Sequence, residues 1–346
     1  MGDAEVLAVL DDLRRDVLGA GPLEPLLRLE AVTDVLVNGP EHVYADTGEG
    51  LQLTGVTFPD DAAVRRLAQR LASTAGRRLD DATPYVDLRL RDGTRFHAVL
   101  APLARPGTLL SLRVPATQVL DLDALVQRGT VCPEGADLLR RIVAGRLAFL
   151  VTGGTGSGKT TMLSALLALV SHDHRIVIVE DATELRPDHP HVVGLEARPA
   201  NVEGAGAVPL QVLVRQALRM RPDRLVVGEV RGAEVTDLLA AMNTGHEGGC
   251  GTLHANSCAD VPARIEALAT AAGLPREAAH SQLSSALDVL VHLRREKGCR
   301  RVAEVAVLDR RPDGLVEAVP AVTFGTAHEI TTHAAAERLA DLLSGR

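Results

Sequence analysis

Tryptophan is missing from this 346-residue sequence, which carries only two tyrosines and four phenylalanines. So sparse an aromatic set argues against a surface that stacks the successive bases of a single strand. It also requires a core of aliphatic side chains. Cysteine is scarce as well. Cys132, Cys250, Cys258 and Cys299 are widely spread with no CxxC pair, which argues against a disulfide framework and a zinc ribbon. No run approaches 18 uninterrupted apolar residues, so no transmembrane helix is expected. The start, MGDAEVLAVLDDLRRDV, lacks the basic opening and apolar stretch of a signal peptide. A reducing cytoplasm is the expected compartment, with any membrane contact made through a partner. Basic charge is outweighed by acidic charge, 37 residues to 45, for a net charge of -8. A protein that coats nucleic acid is therefore not expected, although a local basic patch is compatible with this balance. Lysine is nearly absent: all but two of the basic residues are arginine, and the two are Lys159 and Lys297.

What is present is ample apolar material, 46% of the residues, and a length that suggests two domains. The first 30 residues read as helix ending in the turn-rich GAGPLEP. Short strand signals follow at 32–37, 42–46 and 51–58. Asp60 can cap a helix to about residue 75, with Val64, Leu67, Ala68 and Leu71 on one face. Segments 85–90 and 94–101 alternate around Asp92-Gly93, a strong hairpin signal, and 107–114 adds a strand. Residues 1–114 therefore read as a small α+β domain, and 115–131 as a linker. From 132 to 346 the pattern becomes α/β. LAFLVT, IVIV and LVVG are short apolar runs of the kind that form buried parallel strands. Leu163, Leu166, Leu167 and Val170 mark one helix, and Val235, Leu238, Leu239 and Met242 mark another. Helices are expected near 260–288, with alternating segments at 288–294 and 302–308.

GGTGSGKTT at 153–161 fits G-x-x-x-x-G-K-[ST], between a buried strand and an amphipathic helix. Gly153, Gly154, Thr155, Gly156, Ser157 and Gly158 can turn successive backbone N–H groups onto phosphate oxygens, and the helix N-terminus at Lys159, Thr160 and Thr161 adds partial positive charge. Lys159 can bridge the β- and γ-phosphates, and the Thr160 hydroxyl can ligate Mg²⁺.

Three further boxes follow. VEDATEL sets Glu180 and Asp181 at the end of one apolar run, with Glu184 just beyond. LVVGEVRG sets Glu229 and Arg231 at the end of another. GTLHANS carries His254, preceded by His246. Strand ends on this side of an open α/β sheet line the ligand crevice, where carboxylates can polarise a water and hold a hydrated metal ion. Singly, a carboxylate after a strand is more often a helix cap or a solvated turn, and a His in a loop is usually solvent-facing or a satisfied polar residue. In this order and spacing they resemble one family, the type II/type IV secretion ATPases. The wording is nearest to the CpaF-like ATPases of Tad/Flp pili, as are LGAGPLEPLL, VTDVLVNGPEHVY, GRRLDD and VDLRLRDGTRFHAV in the first domain.

The resemblance implies a RecA-like P-loop ATPase domain behind the α+β domain, binding ATP and Mg²⁺. It implies that Glu180 activates the attacking water, with Glu184 as the alternate. Glu229 would serve as the Walker B acid near the metal alongside Thr160, and His254 would sense the γ-phosphate. Arginines of the first domain reach the nucleotide in such proteins, and Arg95 and Arg113 are the candidates. A homohexamer acting on an integral-membrane platform protein, at the inner face of the cell membrane, is the implied assembly. Three departures stand out, the third being Cys250 inside the His box. The stretch before the first domain is about 20 residues, shorter than the helical leader of many such ATPases, and the four-cysteine zinc module of some members is absent. Cys250-x₃-His254-x₃-Cys258 could in principle hold zinc with His246, but reduced cysteines acting as small apolar residues are the commoner use. A rival reading is a RecA-like DNA-translocating or conjugation-associated ATPase. The net acidity, the few aromatics and the His box count against it.

Overall fold

The structure, a computed structural model, describes residues 19–48, 50–115, 120–198, 200, 205–245, 247–296, 298–326 and 329–345. The chain divides into two compact units, Met1–Thr117 and Gln118–Arg346.

In the first unit, six strands form one antiparallel sheet in the order β3-β2-β1-β6-β5-β4. They are β1 (Asp34–Asn38), β2 (Val43–Asp46), β3 (Leu51–Leu53), β4 (Tyr85–Arg89), β5 (Arg95–Val99) and β6 (Leu109–Arg113). The expected helix at the start falls on residues outside the described ones up to 18. Beyond them lie only a 3₁₀ turn, Gly21–Leu23, and one helical turn, Glu24–Leu27. The expected strand at 51–58 is cut to three residues. Helix α1 (Asp61–Thr74) begins where the Asp60 carboxylate accepts a hydrogen bond from Ala63 N at 2.7 Å, which satisfies one of the donors left over at a helix start. It buries Val64, Leu67, Ala68, Leu71 and Ala72 against Val35, Val37, Phe96, Ala98, Leu110 and Leu112 of the sheet. The period-2 alternation of these strands thus puts one face on the core and the other toward solvent.

The second unit holds a nine-stranded sheet in the order β15-β14-β13-β12-β7-β11-β10-β8-β9. Strands β7 (Phe149–Gly153), β8 (Ile176–Glu180), β9 (Val192–Glu196), β10 (Arg224–Val230), β11 (Cys250–His254) and β12 (Val289–Glu296) run parallel. Strands β13 (Cys299–Arg310), β14 (Val316–Phe324) and β15 (Ile330–Thr332) extend the sheet antiparallel. Successive side chains leave opposite faces. Phe149, Val151, Ile176, Ile178, Val226, Val289 and Val291 pack with helices α2 (Leu122–Gln127), α3 (Pro133–Ala144), α4 (Lys159–Leu167) and α9 (Ala336–Ser344). Leu150, Val177, Val179, Leu225, Val227 and Leu290 pack with α5 (Leu210–Ala217), α6 (Glu234–Asn243), α7 (Val261–Ala271) and α8 (Arg276–Ala286). Burial on both faces is why these strands read as continuous apolar runs rather than alternating ones. Leu122 and Leu125, inside the stretch expected to be linker, belong to this core. Among the described residues, no helix is long and apolar enough to cross a membrane.

Candidate functional site

Four motifs far apart in the chain meet because their strands lie side by side and point the same way. Gly153 ends β7 and pairs with His254 at the end of β11. Val227 and Val230 of β10 pair with β11, and Val227 also pairs with Val179 of β8. Glu180 and Glu229 therefore emerge at the same carboxyl edge as the glycine loop.

The loop's backbone requires glycine at three points: φ is +152° at Gly153, +70° at Gly156 and +93° at Gly158. A Cβ on Gly153 would also lie 2.5 Å from both Leu293 O and Ser157 Oγ. Gly158 is the N-cap of α4 and offers no side chain to the first turn, so its leading N–H groups remain available to an anion. Ser157 is buried, and its hydroxyl has no hydrogen-bond partner. A buried orphan of this kind beside the loop fits a polyanionic ligand. Gly154, Thr155 and Gly156 are exposed at the tip, and Thr160 and Thr161 are half-buried in the first turn of α4.

Lys159 is only 7% exposed. Its ammonium donates to Gly153 O at 3.1 Å and Gly154 O at 2.9 Å, and lies 3.4 Å from both ring nitrogens of His254. Burial pulls its pKa down from the ordinary value, and the Glu229 carboxylate opposes this. His254 Nε2 sits 2.9 Å from Glu229 Oε1. Burial, then the Lys159 charge, lowers the His254 pKa. The ring is accordingly neutral near pH 7, and the pairing assigns its proton to Nε2. Glu229 also forms an ion pair with Arg231. Lys159, His254, Glu229 and Arg231 thus form one connected charge cluster.

The two carboxylates of the second box part company. Glu184 turns to the loop, where its Oε2 accepts from Thr160 Oγ1 at 3.4 Å. Glu180 is 5% exposed, and one of its oxygens accepts from Glu184 N at 3.1 Å and Leu185 N at 3.0 Å. Burial pushes its carboxyl up to about 7, and those two amides only partly offset the effect. It lies against Gly228 of β10, where a Cβ would come within 2.5 Å of Glu180 Cγ. A carboxyl with its pKa near neutrality can take up and release a proton at working pH.

Several supporting residues escaped the sequence reading. Glu234 is buried and accepts from Arg231 N at 2.6 Å and Gly232 N at 2.7 Å, which fixes the turn after β10. His292 is 1% exposed and lies 2.9 Å from Thr152 Oγ1, directly behind the loop. The hairpin of β12 and β13 brings Arg300 to the loop, with Nε donating to Gly156 O at 3.0 Å. The run RREKGCRR at 294–301 is the signal that could have drawn attention to it. Cys250 and Cys258 are buried. Burial pushes the Cys250 thiol up to about 12 and raises Cys258 too, as for thiols enclosed in apolar surroundings. His246 lies outside the described residues.

In the first unit, Arg95 and Arg113 face each other directly across β5 and β6. Like charges so placed repel, and each is offset by a carboxylate. Asp87 contacts Arg95 at 2.7 and 3.2 Å, and Asp34 contacts Arg113 at 3.3 Å.

The chain is similar to known proteins over most of its length. A putative conjugal transfer protein of Mycobacterium tuberculosis (strain ATCC 25618 / H37Rv) is 60% identical over 328 residues, covering 92% of each chain. The type IV secretion system protein PtlH of Bordetella pertussis is 32% identical over 322 residues, covering 84% of this chain and 94% of its own. The crystal structure of the pilus retraction motor PilT with bound ADP shares the fold, with a TM-score of 0.58 at 20% identity over 93% of this chain and 85% of its own. Residues 16–338 match the family described as type II/IV secretion system protein, and with more than half the chain inside that match, this protein belongs to the type II/IV secretion system protein family.

Proposed function

We propose that this chain is an ATP-hydrolysing motor that powers a type II/type IV secretion or Tad/Flp pilus machine. The observation that carries the reading is the buried Lys159 inside a glycine loop, joined to the His254–Glu229 pair at the same sheet edge. The unpartnered Ser157 hydroxyl and the uncapped start of α4 support a polyphosphate ligand. Lys159 neutralises charge on the phosphates. Glu180, with a carboxyl near neutral pKa, orients and deprotonates the attacking water. Thr160 and Glu229 would hold Mg²⁺, which supplies charge neutralisation on the phosphate oxygens when bound. Glu184, on the Thr160 hydroxyl, positions that group. His254, neutral and donating to Glu229, reports the γ-phosphate to the β11 loop. Arg95 and Arg113 supply further positive charge to the nucleotide, on the strength of the family resemblance. The working assembly is a homohexamer at the inner face of the membrane, docked on an integral-membrane platform protein.

A second reading of the machine served follows from the relatives named for conjugal transfer. In it the same motor chemistry drives a conjugation apparatus. The test is hydrolysis by the purified chain with Mg²⁺, with and without duplex and single-stranded DNA. Turnover that is lost in Lys159→Ala and indifferent to DNA supports the motor as proposed. Hydrolysis by Lys159→Ala at the wild-type rate would remove the glycine loop from the active site, and salt-sensitive stimulation by DNA would favour a DNA-translocating enzyme.

A further inference from the structure

The hairpin Val289–Arg310 is not part of the four boxes, yet its arginines lie along the phosphate loop. Arg295 and Arg300 are direct partners across β12 and β13. Both are exposed, and neither has a carboxylate partner among the described residues. Their side chains run along the loop. A Cβ on Gly156 would lie 3.5 Å from an Arg295 guanidinium nitrogen, and a Cβ on Gly158 would lie 3.3 Å from Arg300 Cδ. Arg300 Nε donates to Gly156 O at 3.0 Å, across 144 residues of sequence.

That hydrogen bond has a directional consequence. The carbonyl of Gly156 and the N–H of Ser157 belong to one peptide unit, and in a trans peptide they point opposite ways. With Gly156 O held by Arg300, the Ser157 N–H points the opposite way, and its one hydrogen bond among the described residues is a long one, 3.4 Å to Gly154 O. Gly154, Gly156 and Gly158 surround this peptide, and glycine imposes little resistance to its rotation. Without an external anchor the cradle would have to be ordered by the ligand itself.

We propose that Arg300 is a positioning residue for the phosphate loop, fixing the Gly156–Ser157 peptide with its N–H toward the polyphosphate, and that Arg295 beside it adds unpaired positive charge to the same site. The inference rests on the nucleotide-binding reading above. It extends that reading by making the C-terminal hairpin the outer wall of the phosphate site. Because β13 continues into β14, against which α9 packs, occupancy of the loop becomes linked to the C-terminal layer of the unit.

The test uses the full-length chain and a fluorescent ADP analogue, with ATP hydrolysis measured in parallel. Arg300→Met keeps the stem against Gly158 but removes the donor, while Arg300→Lys keeps a donor on a stem of similar length. Fixing one backbone peptide corresponds to about a tenfold change in affinity. Arg300→Met is expected to bind ADP about tenfold more weakly and to raise the KM for ATP to a similar extent, with kcat changed less than about threefold. Arg300→Lys should recover most of that loss. Arg295→Ala should weaken ADP binding at low salt and match wild type in about 0.5 M salt, where exposed charges are screened. The Arg300→Met defect should persist there. Wild-type ADP affinity in Arg300→Met overturns the proposal, as does an equal loss in Arg300→Met and Arg300→Lys. Failure of the wild-type chain to bind ADP overturns the nucleotide-binding reading itself, and this inference with it. Thermal midpoints of all variants identify any that bind weakly through misfolding.

Discussion

Replacing Glu180 by glutamine should make the protein more stable and less active, and the gain should depend on pH. The carboxyl is buried, and burial raises its pKa from 4.5 to about 7. Between those values the folded state binds a proton that the unfolded chain does not, so its contribution to stability falls as pH rises from 4.5 through 7. At 1.36 kcal/mol per unit, the folded protein at pH 8 carries a cost of about 3 kcal/mol for keeping this carboxylate in the interior. Glutamine has the same shape and retains an oxygen for the amides of Glu184 and Leu185, 3.1 and 3.0 Å away, but it never ionises. Glu180→Gln should therefore match wild type near pH 4.5 and gain stability up to about 3 kcal/mol at pH 8. For a unit of this size that is a shift of roughly 6–12 °C in the midpoint, readable by calorimetry without nucleotide or Mg²⁺. His292 has the opposite slope: burial lowers its pKa to about 4, so its contribution grows as pH rises from 4 to 6.5. It is common to both proteins and cancels in the difference. In the same preparations ATP turnover should fall by a factor on the order of 10²–10⁴ as the base is lost. A midpoint at pH 8 no higher than wild type, or a gain of equal size at pH 5 and pH 8, refutes the buried charge. Wild-type turnover refutes its role as base.

Other outcomes follow from neighbouring geometry. Glu229→Gln should raise the Mg²⁺ concentration needed for half-maximal hydrolysis, because it removes a proposed ligand and leaves Arg231 without its carboxylate. A metal titration checks this, and an unchanged midpoint counts against the assignment. A turnover loss in Glu184→Gln larger than that in Glu180→Gln would transfer the role of base to Glu184. Gly251→Ala should destabilise the second unit by about 3 kcal/mol or more, since its Cβ would sit 2.5 Å from the backbone oxygen of Val227 on the adjoining strand; a thermal midpoint within about 2 °C of wild type, equivalent to roughly 0.5–1 kcal/mol, would sink that argument. Arg95→Ala and Arg113→Ala should lower ATP turnover more than they weaken ADP binding, because ADP lacks the γ-phosphate. Unaffected turnover in both would strike these arginines from the site.

The phosphate loop, the buried strands and the capped helix at Asp60 were all legible in the sequence. Each rests on chemistry that is local in the chain: glycines where φ is positive, apolar runs where both faces are buried, a carboxylate ahead of a helix. Strands β9 and β14 were not legible, because no residue of β9 is buried and in β14 only Val316, Ala321 and Phe324 are. The motifs' membership of one site was suggested by strand-end logic, but the partners of each side chain were not. Glu180 and Glu184 differ by four positions in one box, and only the fold shows that the first lies inward against Gly228, held by the Glu184 and Leu185 amides, while the second reaches Thr160. Arg95 and Arg113 are ordinary arginines among many until strand register sets them opposite each other. The hairpin arginines show the same limit from a greater distance. They lie in the run RREKGCRR, which the sequence reading passed over, and the pairing of β12 beside β7 brings them to Gly156. Local sequence determined which backbone shapes and strand interiors this chain could form. Tertiary structure decided which charges meet, because strand order and register join residues that are far apart along the chain.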